Sequence, residues 1–291
     1  MNFFSIIIPT YNRASHLKET LASALSQTKD NYEIIVVDDG STDNTEEIIS
    51  SIKDPKLNYF KKENGERGAA RNYGVMKAKG NYVTFLDSDD QLKPYFIEEA
   101  DRLAQIHQPH FFHLGYEVKN TNSGKTTHYN LTDTINDDLI GGNYLSCLGV
   151  FIHKETALKN LFNERRDLSG LEDWELWLRL AAQHKLYFSN KICATLIDHN
   201  ERSVSTSALE KLIARHELFI NLVTTNPVLI KRYGARFKEF LSSNYSYIAL
   251  HIALAGQSKR TAIYYLKKSV KLFPSSIFKR RFFAIIKHLL S

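Results

Sequence analysis

Asp87, Ser88, Asp89 and Asp90 put three carboxylates into four consecutive positions, directly after the strand-like run Tyr82-Val-Thr-Phe-Leu86. Like charges at such short range raise one another's pKa unless a cation neutralises them. Hard oxygen donors suit Mg²⁺ or Mn²⁺, which keep coordination positions open for diphosphate oxygens. The plainer reading is a surface turn with a helix cap. Asp38 and Asp39 form a second acidic pair, this one behind an apolar run, and lead into Gly40, Ser41, Thr42 and Asp43. At a ligand crevice such a pair accepts hydrogen bonds from a base or ribose; elsewhere it shapes a turn while Ser41 caps the next helix.

A third feature is the glycine-bearing loop Asn64, Gly65, Glu66, Arg67, Gly68, Ala69, Ala70, Arg71, Asn72. Small residues at a helix start let backbone N–H groups approach a phosphate, and Arg71 could add charge. No Gly-Lys-Ser/Thr follows, so it is not a P-loop, and no G-x-G-x-x-G follows the first strand. The fourth feature is Ser169-Gly-Leu-Glu172-Asp173-Trp174. Ser169 and Glu172 have capping-box spacing, which explains Glu172 structurally. Asp173 instead shares a helical row with Leu176, Trp177 and Leu180, as either a dipole-stabilised carboxylate or a base facing a cleft.

The elements that must position these residues alternate. Strands are expected at residues 3–8, 33–37, 57–60 and 82–86, with helices at 14–25, 42–51 and 68–78 between them. Short β-branched strands alternating with helices imply an α/β fold with a mostly parallel sheet covered on both faces. In such sheets ligands bind beyond the carboxyl ends of the strands. That rule singles out Pro9, Thr10, Tyr11, Asn12 and Arg13 behind the first strand, with the acidic groups behind the second and fourth. Further strands are expected at 111–119 and 150–153. The polar loop 121–142 between them reads as mobile or substrate-facing. From about residue 207 helical periodicity takes over at 209–223, 228–255, 260–273 and 277–290, broken by Pro227, Gly256 and Pro274. This divides the chain into residues 1–206, with an acceptor part at about 107–206, and a helical region 207–291, the boundary falling near Thr206.

With 43% apolar and 24% charged residues, the 291-residue chain has globular composition, which excludes disorder and fibrous repeats. Two cysteines, Cys147 and Cys193, exclude a disulfide framework and a four-cysteine zinc site and fit a reducing compartment. The first apolar run is too short, and lacks the basic flank, for a signal peptide. No stretch approaches the ~18 apolar residues of a membrane span. The net charge of +6 is uneven: no acid follows Glu239, and the last 52 positions hold nine of the 38 Lys and Arg.

In order along the chain, Ser5-Ile-Ile-Ile-Pro-Thr-Tyr-Asn-Arg13, Val36-Val-Asp-Asp-Gly-Ser-Thr-Asp43, Gly68-Ala-Ala-Arg-Asn72, Asp87-Ser-Asp89 and Glu172-Asp173 resemble the motifs of family 2 glycosyltransferases, over roughly the first 200 residues. The resemblance implies the A-type glycosyltransferase fold, here with a C-terminal helical extension. It implies that Pro9, Thr10, Tyr11, Arg13, Asp39 or its neighbour Asp38, and Arg71 hold the nucleoside of a UDP-linked sugar, with Asp87 and Ser88 at the ribose or sugar. Asp89 would bind the divalent metal, Mn²⁺ or Mg²⁺, as the DXD motif of the family does, and His199 resembles a late histidine that adds a ligand in some relatives. A lone loop histidine is equally compatible with a structural role. Asp173 would be the general base of an inverting transfer to an acceptor hydroxyl. The Gln-x-x-Arg-Trp pattern of processive synthases is absent after Asp173, which implies a non-processive enzyme of the bacterial type, moving a hexosyl or N-acetylhexosaminyl group in surface polysaccharide synthesis.

In residues 275–290 helical projection gathers Phe278, Phe282, Phe283, Ile285, Ile286, Leu289 and Leu290 on one face, with Arg280, Arg281, Lys287 and His288 opposite. Such a helix either lies in a lipid interface or packs on the catalytic domain. The first alternative implies a cytoplasmic enzyme, peripheral on the inner membrane face, that meets a lipid-linked acceptor. Nucleic acid is not an expected partner, because no reading motif accompanies the basic tail. Two competing functions remain at this level: a metal-dependent nucleotidyltransferase, and a non-catalytic module binding sugar nucleotide or membrane.

Overall fold

The computed structural model describes residues 2–199, 209–256 and 258–290. By internal contacts the chain separates into two compact units, residues 1–136 with 144–202, and residues 137–143 with 203–291. The boundary expected near Thr206 lies outside the described residues.

The first unit is built on one sheet. Its strands are β1 (Phe4–Thr10), β2 (Tyr32–Asp38), β3 (Leu57–Lys61), β4 (Tyr82–Phe85), β5 (Gln91–Leu92), β6 (Phe111–Asn120), β7 (Thr126–His128), β8 (Val150–His153) and β9 (Leu186–Asp198). They run in the order β3-β2-β1-β4-β8-β6-β9-β5, with β7 on β6. Its helices are α1 (Ala14–Leu25), α2 (Thr45–Ser51), α3 (Glu66–Lys77), α4 (Phe96–His107), α6 (Lys154–Lys159) and α7 (Glu172–Gln183), while the short α5 (Ile135–Asp138) is divided between the two units after Asn136. Every residue of β1 and β2 is buried, as strands covered on both faces require. Pro9, which has no N–H to give, comes after the last β1–β4 pair, Ile7 with Phe85, so only β2 flanks it. Phe151 anchors the core, stacking on Phe112 at 4.8 Å and meeting Phe4 edge-on at 5.8 Å.

β1 to β4 are mutually parallel, β8 opposes β4 and β6, β9 runs parallel to β6, and β5 opposes β9. β1, β2, β4, β6 and β9 therefore share a direction, and their carboxyl ends open on one edge of the sheet.

Several expected bounds move for local reasons. The helix expected from residue 42 starts at Thr45, because Thr42 N–H is held by Asn12 Oδ1 (2.8 Å) and Asp43 Oδ1 accepts from Thr45 N–H and hydroxyl. The strands β5, β7 and β9 were not foreseen. The loop expected over 121–142 contains β7, α5 and a short 3₁₀ turn at Leu139–Gly141.

The second unit is helical: α8 (Leu209–Thr225), α9 (Pro227–Tyr233), α10 (Phe237–Ala255), α11 (Lys259–Leu272) and α12 (Arg280–Leu290). Asn226 caps α9 by accepting from Val228 and Leu229 N–H, with Pro227 in the first turn. The single helix expected over 228–255 is thus two, divided by a 3₁₀ turn at Gly234–Arg236. Pro274 opens another 3₁₀ turn, so the last helix begins at Arg280 rather than 277. The turn Leu139–Gly141 belongs to this unit, its Gly141 carbonyl accepting from Ser243 Oγ at 2.9 Å. The tail helix does not present its whole apolar face. Ile285 is buried with Ile248, Ile252 and Leu266, and Phe282, Ile286 and Leu289 pack against the same cluster. Phe278, Phe283 and Leu290 stay exposed. Arg281, expected on the polar side, turns inward to donate to Ser243 carbonyl at 2.9 Å. Among the described residues no helix is long and apolar enough to cross a membrane.

Candidate active site

The loops behind β1 and β2 are stitched together by Asn12, whose φ of 50° aims its amide at the second loop. Its N–H donates to Ser41 Oγ at 3.0 Å, while its side-chain oxygen accepts from Thr42 N–H. Ser41 therefore joins two loops instead of capping a helix. Asp38 is fully buried, with one oxygen accepting from Ser41 N–H (2.7 Å) and the other from Tyr59 hydroxyl (2.8 Å). Burial, reinforced by Asp38, raises the Tyr59 pKa well above its usual value. Asp38 is thus the turn-shaping member of the pair. Asp39 lies beside it with Oδ1 accepting from Lys62 Nζ at 2.6 Å and Gly65 N–H at 3.0 Å. Gly40, at φ 85°, makes this turn possible. Along the same edge Pro9 and Thr10 are buried, Tyr11 is exposed, and Arg13 is half-buried at the start of α1. Thr10 Oγ1 is buried without a hydrogen-bond partner, a hydroxyl left over at the mouth of the central strand.

The second group is centred on Arg71, which α3 holds beneath the surface at 2% exposure. One guanidinium nitrogen donates to Asp87 at 2.8 Å and another to Glu172 at 3.0 Å, and the plane lies over Phe162, 5.3 Å from the ring centre. Burial works against this charge, but the carboxylates of Asp87 and Glu172 outweigh it and hold the group protonated beyond its ordinary range. The guanidinium expected at the nucleoside is therefore engaged by two carboxylates.

Glu172 also departs from expectation. The capping box does not form: Ser169 Oγ turns to Glu66 at 3.5 Å, and Glu172 accepts from Gly170 N–H. Arg179 pairs with Glu175, one turn before it on the helix, at 2.8 Å. Glu172 is buried because Arg71 compensates its charge, and it fixes the first turn of α7, where Asp173 stands half-buried. Cys147 lies within electrostatic reach of Arg71, Asp173, Asp87 and Glu172. Burial drives its thiol pKa well up, with the three carboxylates adding to that rise and Arg71 opposing it. It is a neutral filler, not a nucleophile.

The third group joins residues 110 positions apart. β5 pairs with β9 through Gln91–Thr195 and Leu92–Ala194, and Asp90 Oδ1 accepts from Ile197 N–H at 2.8 Å. This clamp lays the end of β9 beside the end of β4, so that His199 Nε2 and Asp89 Oδ2 are 3.1 Å apart. Asp90 thus serves the clamp, and Ser88 is buried between Asp87 and Asp89. His16, on the first turn of α1, stacks on the His199 ring at 5.0 Å and 17°. Among the described residues no group of three or more His, Cys, Asp or Glu side chains could hold a metal ion. A carboxylate oxygen and an imidazole nitrogen converging within 3.1 Å nevertheless fit a divalent cation that takes its remaining ligands from diphosphate and water.

Lys62, His16, Cys147 and the burial of Glu172 escaped the reading of residues alone. Lys62 directly follows β3, so the strand-end rule covers it; nothing local marks the other three, whose partners are remote in sequence.

A sequence profile described as Glycosyl transferase family 2 matches residues 5–160. An uncharacterized glycosyltransferase of Rickettsia typhi is 32% identical over 238 residues, 78% of this chain and 74% of the relative. One from Rickettsia bellii is 34% identical over 210 residues, 68% of this chain but 30% of the relative, so the chain spans about a third of some relatives and three-quarters of others. Staphylococcus aureus TarS in complex with UDP-GlcNAc superposes with a TM-score of 0.65 at 19% identity, over 94% of this chain and 90% of that one. The mannosyltransferase PcManGT of Pyrobaculum calidifontis, in complex with GDP-Man and Mn²⁺, gives 0.58 at 15% identity, over 99% and 86%. The mixed sheet with flanking helices is the A-type glycosyltransferase fold. With its motif residues ranged along one edge of that sheet, the chain belongs to glycosyl transferase family 2 and is a glycosyltransferase.

Proposed function

We propose that the chain transfers a hexosyl or N-acetylhexosaminyl group from a UDP-sugar to an acceptor hydroxyl with inversion, one residue per encounter, in surface polysaccharide synthesis. The observation that carries this reading is the Arg71 bridge from Asp87, behind β4, to Glu172, the neighbour of Asp173. It ties the carboxylate expected at the donor to the helical turn that carries Asp173, the base expected at the acceptor. UDP-GlcNAc and GDP-Man in the complexes of structurally similar enzymes support a nucleotide-sugar donor.

Pro9, Thr10, Tyr11, Arg13 and Asp39 line the donor side, and Asp39 with Lys62 presents an acceptor and a donor to the base. Asp89 and His199 would hold Mn²⁺ or Mg²⁺, which when bound supplies charge stabilisation to the leaving diphosphate. Asp173, on the first turn of α7, takes the acceptor proton as the hydroxyl attacks the anomeric carbon from the face opposite the leaving group. Glu172 and Arg71 keep that turn in place. The exposed face of α12 would dock on an anionic, cytoplasmic membrane surface, where a lipid-linked glycan acceptor is met.

The test is thermal stability with UDP, GDP and CDP, with and without Mn²⁺. A ligand at 100 times its dissociation constant adds about 2.7 kcal/mol. Stabilisation by UDP should require Mn²⁺ and vanish in Asp89→Ala. In Asp173→Asn it should persist while turnover of the UDP-sugar falls by roughly 10²–10⁴-fold. Absence of stabilisation by every nucleotide would overturn the reading.

A further inference from the structure

On the foundation of the glycosyltransferase reading, we propose that Tyr129 and Tyr144 form a stacking platform for a pyranose ring of the acceptor, which makes the acceptor a saccharide. The two rings lie 5.4 Å apart and within 19° of parallel, and Tyr129 leaves 54% of its surface in solvent. Tyr144, the second ring, is half-buried.

The sheet places the pair. β9 occupies one edge of β6 along its whole length, so β8, paired to residues 111–113, and β7, paired to 117–119, lie end to end along the other edge. Tyr129 follows β7 by one residue, and the chain from Tyr144 leads into the turn Cys147–Gly149 that opens β8. Both approaches are pinned. Leu131 is buried and exchanges hydrogen bonds with Asn190 at 2.9 and 3.0 Å, and Leu145 is 3% exposed. Cys147, three residues beyond Tyr144, is within electrostatic reach of Asp87, Glu172 and Asp173. β6, which carries β7, ends on the same sheet edge as β4, behind which Asp87 and Asp89 lie.

The electron-rich face of an aromatic ring attracts the C–H groups that one face of a pyranose presents. The hydroxyls at the sugar's rim need polar neighbours, and His128 and Asn130, both exposed, bracket Tyr129. A flat, anchored aromatic surface with a polar rim suits a sugar ring better than an alkyl chain.

The experiment is saturation-transfer NMR on the full chain with the methyl β-glycosides of glucose, galactose and N-acetylglucosamine. At least one should receive saturation, strongest on its axial ring protons. The effect should persist in Tyr129→Phe and Tyr129→Trp and fall about fivefold in Tyr129→Ala, the loss expected for one ring contact. Unchanged transfer in Tyr129→Ala, or no transfer to any glycoside in the wild type, would overturn the proposal. UDP binding, measured by calorimetry on the same samples, should be equal in all four proteins. Its absence from the wild type would fail the donor reading separately, leaving the saccharide result to stand or fall by itself.

Discussion

Arg71 is the residue on which the site's geometry turns. Removing one partner of a buried ion pair costs about 3–5 kcal/mol, because the remaining charge is stranded. Arg71→Ala would strand two, Asp87 and Glu172. We predict a melting temperature lower by roughly 10 °C, taking about 2–4 °C per kcal/mol for a domain of this size. Arg71→Lys should recover part of the loss, since lysine restores the charge but not the two-pronged geometry. Adding Glu172→Gln to Arg71→Ala should also recover stability, because it removes one stranded charge. If the double variant were less stable than Arg71→Ala alone, the ion-pair account would be wrong. The carboxylates of this site were legible in the sequence because they stand at strand ends, where geometry exposes them. The commitment of Arg71 to Glu172 was not, since 101 residues separate them and Ser169 offered Glu172 a local explanation. Asp38 was ambiguous for the opposite reason: turn-shaping and ligand-binding carboxylates have the same sequence signature, and Tyr59, which settles its second oxygen, comes 21 positions later.

Among the elements, the early strands and helices were legible because apolar strands and amphipathic helices alternate cleanly there. β9 was not: its run of apolar residues is interrupted by Ser189, Asn190 and Lys191, where its register to β6 shifts on either side of Gly115. Gly115 marks that irregularity. A Cβ there would come within 2.8 Å of the carbonyl oxygens of Asn190 and Lys191, backbone atoms that cannot swing aside. Gly115→Ala should cost about 1–3 kcal/mol and lower the melting temperature. Gly234→Ala, whose nearest outside atom is 3.9 Å away, should be neutral or stabilising; equal effects of the two would refute the packing argument. The packing of α8 on α10 carries a pH dependence. Asn244 donates its amide to Phe240 carbonyl, so its oxygen faces His216 Nδ1 at 2.9 Å, and that nitrogen bears the proton of a neutral ring. Burial pushes the His216 pKa down to about 4. Between the unfolded value near 6.5 and about 4, the unfolded chain holds the extra proton. This contribution is therefore complete above pH 6.5 and drains away on acidification, at most about 1.4 kcal/mol per pH unit. Melting curves from pH 7 to 4.5 should fall less steeply for His216→Gln than for the wild type, and an identical slope would remove His216 from the account.

For the molecule as a whole, the sequence sorts its charges by segment, and the structure shows which of the tail's charges are free to act at a distance. Arg281 is engaged with Ser243, whereas Arg280 and Lys287 are exposed and alternate along one helical stripe with exposed Phe283 and Leu290. Two cations interleaved with two apolar side chains are what an interfacial helix offers to anionic lipid. The amphipathic pattern alone could not separate this stripe from the packed one, because both run along the same helix and the apolar arc is wide enough for two contacts. Deleting the tail would be a poor test, since it would remove Ile285 from the helical core. Arg280→Glu with Lys287→Glu changes the exposed stripe and leaves the packed side intact. At about 1 kcal/mol for each basic residue near anionic lipid, the double reversal should weaken sedimentation with phosphatidylglycerol vesicles at low salt by well over tenfold. Phe283→Ser should weaken it with less change in salt dependence, because the lost contribution is apolar area and not charge. Equal sedimentation of all three proteins would assign the stripe to ordinary solvation and leave the enzyme to find its acceptor without help from the tail.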